Sequence, residues 1–219
     1  MAVGTSPNHG ERRGGLRPTL IVLHYTGMAT LAEARDRLCD PRHEVSAHWL
    51  LAEDGSAEAL VEETRRAWHA GAGSWGHITD VNSASIGIEI QNPGNAPYPE
   101  PQMAGLERLL TRIMARWDIP ASGVIAHSDM APTRKIDPGP RFDWRRLALA
   151  GLSVWPDPGQ AAPPDFAARA VRFGYPEGEA TALLYAFRLR FRPWAKGPLD
   201  AVDAGLAANL ANRFPANRA

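Results

Sequence analysis

The chain has 219 residues, with 24 lysine and arginine side chains balanced by 24 aspartate and glutamate for a formal net charge of zero. That length holds one medium domain, or an enzyme domain followed by a small accessory one, and the balanced charge offers no long-range field toward a polyanion, which argues against nucleic acid as a partner. The single Cys39 cannot close an internal disulfide and reads as a small buried thiol on a helix.

Residues 1–17 are rich in Gly, Pro and charge and carry no apolar run long enough for a signal peptide or a membrane span. They read as an N-terminal extension, and the expected compartment is cytoplasmic, with an exported enzyme as the alternative. Residues 19–24 form a short apolar run after Pro18 and predict a buried strand that delivers His24 at its C-terminal end. A helix is expected over 30–38. Two apolar segments, 47–51 and 57–61, flank Asp54-Gly55, which predicts a β-hairpin.

In Ser85-Ile86-Gly87-Ile88-Glu89-Ile90 the isoleucines alternate with Ser, Gly and Glu, the period of a strand with one apolar face, so Glu89 points away from the isoleucine side. Over 101–117, Met103, Leu106, Leu109, Leu110, Ile113, Met114 and Trp117 recur at helical spacing between Pro101 and Pro120. A brief strand is expected over 124–127 and a closing helix over 142–150. The composition shifts to Pro, Gly, Ala and Asp over 151–164, which marks a linker. Beyond it, 165–173, 179–191 and 200–213 show helical patterning, so residues 165–219 read as a small all-α three-helix domain.

Three segments end in a potential metal ligand at or just past a strand: His24, His127 and Asp137. Two imidazoles and a carboxylate suit zinc, and three protein ligands leave its fourth position for water, the arrangement of a hydrolytic site. Seven histidines offer many such pairs, so spacing supports a site without identifying it. The compact metalloprotease helix motif is absent, because His48 falls one residue too late after His43-Glu44.

The ordered set Leu23-His24-Tyr25-Thr26, Val45-Ser46-Ala47-His48-Trp49, Trp68-His69-Ala70-Gly71, Ser85-Ile86-Gly87-Ile88-Glu89, His127-Ser128-Asp129 and Lys135-Ile136-Asp137-Pro138-Gly139-Pro140 resembles the zinc N-acetylmuramoyl-L-alanine amidases related to peptidoglycan recognition proteins. The resemblance implies an α/β catalytic domain over 18–150 with a mixed central β-sheet flanked by helices. It implies that His24, His127 and Asp137 bind Zn2+, that Glu89 is the general base and that Lys135 stabilises the developing oxyanion. His48, Trp68, His69 and Asn82 are candidates for the substrate groove, each also readable as an ordinary core residue.

The expected partners are peptidoglycan fragments or the sacculus, and the expected state is a monomer. Because the superfamily includes members that bind cell wall without cutting it, a non-catalytic receptor is the rival reading, as is an amidase acting on a different cell-wall amide. The tail, with Phe173-Gly174-Tyr175-Pro176 and Leu184-Tyr185-Ala186-Phe187-Arg188, is similar to a three-helix peptidoglycan-binding module. It departs from that pattern at Arg188, where glutamine is usual, so glycan binding and a wall of the groove both stay open for it.

Overall fold

The computed structural model describes residues 6–216; positions 1–5 of the N-terminal extension and 217–219 of the helical tail lie outside the described residues. The centre is a five-stranded sheet in the order β4-β3-β6-β2-β7. Strand β2 (Leu20–Tyr25) lies parallel to β6 (Ser85–Ile90) on one side and to β7 (Val124–Ala126) on the other. Strand β3 (Trp49–Leu51) runs parallel to β6, and β4 (Ala57–Ala59) closes the edge antiparallel to β3. The mixed sheet flanked by helices is the architecture that the resemblance implies.

Because side chains alternate across a strand, the sheet has two different faces. Ile21 and Leu23 of β2 and Ile86, Ile88 and Ile90 of β6 join Met103, Leu106, Leu109, Leu110 and Ile113 of α3 (Glu100–Trp117) in one buried cluster, which also takes in Trp144 and Leu147 of α5 (Trp144–Leu149). Burial of each such side chain contributes roughly 1.5–3 kcal/mol before entropy is counted. Helix α1 (Leu31–Cys39) starts in a capping box between Thr30 and Glu33, satisfying amide hydrogens that the first turn leaves free. The hairpin turn fits against α3 so closely that a Cβ on Gly55 (φ +82) would stand 2.2 Å from the Pro101 carbonyl oxygen.

On the opposite face, Leu20, Val22 and Ile125 share a cluster with Phe166, Ala170, Phe173, Phe187, Phe191 and Leu210. These last come from α6 (Phe166–Phe173), α7 (Ala180–Phe191) and α8 (Ala201–Arg213). The three helices begin and end within a residue or so of the expected positions, and they bury their apolar faces against the sheet.

Two features differ from the reading of the sequence. The strand expected over 124–127 stops at Ala126, and His127 opens a short helical turn, α4 (His127–Met130). The segment before Pro18 is also more than an extension. Within it β1 (His9–Gly10) pairs with β5 (Arg66–Ala67) in a second, two-stranded sheet. Arg12 then enters the interior and donates to the carbonyls of Ser83 at 2.7 Å, Glu63 at 2.8 Å and Ser85 at 3.0 Å. Burial lowers the Arg12 pKa to about 10, and composition alone gives no hint of this role.

Candidate metal centre

His24 is the fifth residue of β2 and stands in register with Glu89 of β6, so the two side chains project from the same sheet face about one strand spacing, ~4.8 Å, apart. His127 follows the end of β7 on the other side of β2. The site therefore sits at the carboxyl ends of neighbouring parallel strands, where open α/β sheets place their ligands. Asp137 arrives on the loop after α4, anchored where its own carbonyl accepts the Ser128 amide at 3.1 Å.

Three atoms converge there. His24 Nδ1 is 2.9 Å from His127 Nδ1 and 3.0 Å from Asp137 Oδ2, and His127 Nδ1 is 2.9 Å from the same carboxylate oxygen. All three residues are buried, and they make the one cluster of potential metal ligands among the described residues. His127 Nε2 lies 2.9 Å from the Ala70 carbonyl, an acceptor, so its hydrogen sits on Nε2 and its Nδ1 presents a lone pair. Two ring nitrogens and a carboxylate oxygen turned toward one point form a donor set that could hold a cation. Burial, reinforced by the neighbouring His127, lowers the His24 pKa to about 4 despite the pull of Asp137, which keeps that ring neutral and able to ligate at neutral pH.

Glu89 Oε2 is buried without a hydrogen-bond partner. Its pKa is raised well above the carboxylate range by burial first and by the Asp137 charge second, with Lys135 working in the opposite direction. A carboxyl group held in that way accepts and returns a proton closer to neutrality than a solvated one. His24, Glu89, His127, Lys135 and Asp137 line one cleft of about 430 Å3, whose walls include Trp68, His69, Arg37 of α1 and Arg134. A larger groove of about 1230 Å3 lies between α5, the 153–160 segment and α7 and contains none of these ligands.

Of the four groove candidates, Trp68 and His69 reach the cleft and two do not. His48 is fully buried, accepts the Gly87 amide on Nδ1 at 2.9 Å and meets the Arg65 carbonyl with Nε2 at 3.1 Å. Asn82, on the short helix α2 (Val81–Ala84), accepts the amides of His69 and Ala70 on its Oδ1 at 3.0 and 2.9 Å. Both sit in the layer behind the cleft, where the His48 ring and the Asn82 Oδ1 are engaged by backbone groups. Ser85 and Gly87 share the face of Glu89 by the same period-two rule, but neither carries chemistry that marks it as a site residue from the sequence.

Residues 14–140 match the family model described as N-acetylmuramoyl-L-alanine amidase. The N-acetylmuramoyl-L-alanine amidase AmiD of Escherichia coli (strain K12) is 34% identical over 237 residues, covering 90% of this chain and 84% of that protein. The 1,6-anhydro-N-acetylmuramyl-L-alanine amidase AmpD of Enterobacter cloacae is 33% identical over 160 residues, 65% of this chain and 85% of its own length. Among solved structures, the complex of E. coli AmiD with the substrate anhydro-N-acetylmuramic acid-L-Ala-D-gamma-Glu-L-Lys superposes with a TM-score of 0.84 at 30% identity, covering 92% of each chain.

Proposed function

The chain belongs to the N-acetylmuramoyl-L-alanine amidase family and is an amide hydrolase of that kind, and from this premise we propose that His24, His127 and Asp137 hold a zinc ion beside Glu89 and Lys135 as the catalytic centre. The observation that carries the reading is the meeting of His24 Nδ1, His127 Nδ1 and Asp137 Oδ2 within 3.0 Å of one another. Zinc suits this mixed nitrogen and oxygen set, and when bound it supplies Lewis-acid chemistry, polarising the scissile carbonyl and acidifying a water molecule.

The chain's own groups supply what remains. Glu89 receives the proton of the attacking water on its unpartnered Oε2 and passes it to the departing amine, which would otherwise leave as an unstable anion. Lys135 places an ammonium at the same cleft, where it offsets negative charge growing on the carbonyl oxygen. His24, His127 and Asp137 are buried, so charge developing beside them is screened less than in bulk water.

The substrate class follows the relatives: AmpD is named for the 1,6-anhydro-muramyl amide, and AmiD is seen with an anhydro-muramyl peptide. Soluble muropeptides carrying an anhydro-muramic end are accordingly the substrates proposed for this chain, with the MurNAc to L-alanine amide as the bond cut. The family membership and the retention of Glu89 and Lys135 together set aside a non-catalytic receptor, which has no use for a base beside an open metal.

The test is release of free stem peptide from purified anhydro-muropeptides, identified by mass. Release is expected to stop with a chelator and return with zinc, while Glu89→Ala keeps the metal and loses about 100-fold or more in rate. Release that ignores the chelator, or a different mass of product, refutes the assignment.

A further inference from the structure

His69 stands behind His24. Its Nδ1 is 3.0 Å from His24 Nε2, and its Nε2 is 3.2 Å from Ser85 Oγ. Ser85 Oγ donates its hydrogen to the Val81 carbonyl at 2.5 Å. A hydroxyl has a single hydrogen, so toward His69 the Ser85 oxygen only accepts. His69 Nε2 must then carry that ring's hydrogen, leaving Nδ1 bare. His24 Nε2 donates to it, and the His24 lone pair is thereby fixed on Nδ1, the atom facing His127 and Asp137.

We infer that His69 is a positioning residue, which holds His24 in its ligating tautomer through a hydrogen-bond relay running from the Val81 carbonyl through Ser85. This rests on the proposed zinc reading and adds the device that orients one ligand. A second observation, independent of the hydrogen bonds, is the room kept for the His69 ring. A Cβ on Gly87 would come within 2.4 to 2.6 Å of the ring atoms, so the strand lacks a side chain at the one position over which the imidazole lies. The face of β6 is thus divided between Ser85, which bonds His69, Gly87, which makes space for it, and Glu89.

The neighbouring residue performs the matching task for the other imidazole. The Ala70 carbonyl receives the Nε2 hydrogen of His127, and the Asn82 side chain holds the amides of both His69 and Ala70. One short backbone stretch therefore sets the direction of both rings, as metal-ligating histidines require of the groups behind them.

The experiment uses zinc-loaded full-length protein. Long-range proton–nitrogen correlation spectra are expected to show His69 and His24 both protonated on Nε2. Zinc affinity, measured by competition with a chromophoric chelator, is expected to fall roughly 10- to 100-fold in His69→Ala. Recovery of part of the loss is expected in His69→Gln, whose amide oxygen can accept from His24, and a smaller loss in Ser85→Ala. Circular dichroism and the unfolding midpoint establish that each variant is folded, and Ser85→Ala together with the wild-type spectra decides the matter if His69→Ala does not fold. A folded His69→Ala that binds zinc as tightly as wild type, or a His69 ring protonated on Nδ1, overturns the inference. Failure of the wild-type protein to bind zinc at all instead overturns the metal assignment itself.

Discussion

His48 looks from the sequence like a member of the groove, and the structure makes it a buried clasp on Gly87. Burial, and after it the Arg12 guanidinium, lowers its pKa from 6.5 to about 3. The unfolded chain takes up a proton near the upper value and the folded chain resists until the lower one, so between them the unfolded state binds more protons. Stability therefore falls as pH drops from about 6.5 toward 3, by up to ~1.4 kcal/mol per pH unit from this residue alone. His48→Gln can keep both backbone contacts without titrating, and urea unfolding at pH 7 and pH 5 is expected to show a shallower acid loss than in wild type. An equal loss in both proteins assigns the acid sensitivity to other groups. At this scale the sequence is legible where a strand period fixes a face, as for Glu89, and silent where a ring meets a distant backbone, as for His48 and Asn82.

Helix α7 is bound to the turn that carries His127 by more than apolar contact. Arg190 is buried and pairs with Asp129, which lies just beyond His127 on α4 and also accepts from Tyr175 and from the Ala126 amide. Arg190 further donates to the Val124 carbonyl at 3.0 Å and stacks over Trp144 at 4.2 Å. Removing one partner of such a pair strands a charge without water, so Arg190→Met is expected to cost about 3–5 kcal/mol, with part of that recovered when Asp129→Asn is added. Thermal unfolding of the single and double variants measures this; a single variant within 1 kcal/mol of wild type, on the scale set by roughly 0.5–3 kcal/mol for ordinary substitutions, shows that the pair holds nothing together. The helical period of 179–191 announces α7, but it cannot say that an arginine on that helix points inward.

For the molecule as a whole, the two faces of one sheet carry two cores. The core shared by β2, β7, α6, α7 and α8 joins residues on both sides of the 151–164 segment. Calorimetry of the full chain is expected to give one cooperative unfolding transition, because α6, α7 and α8 pack their apolar faces on the sheet itself. Two transitions with separate midpoints would mean that residues 165–216 fold as a unit of their own. No helix among the described residues is long and apolar enough to cross a membrane.

Taken alone, the sequence determined the elements and the chemical kinds: an apolar run placed His24 at a strand end, alternation placed Glu89 on a strand face, prolines bounded the longest helix, and the ordered motifs pointed to an amide hydrolase. Those are local signals, carried by residues a few positions apart. Spacing could not say which histidines meet; the ordered motifs implied His24 and His127, and the tertiary structure is what brings them together. His24 and His127 are separated by 103 positions and lie 2.9 Å apart, a closeness set by β6 and β7 pairing on opposite sides of β2. The same sheet order put His69 behind one ligand and the Ala70 carbonyl behind the other, and so fixed where each ring keeps its hydrogen, because hydrogen bonding depends on distance and direction between groups that the order of residues leaves unspecified.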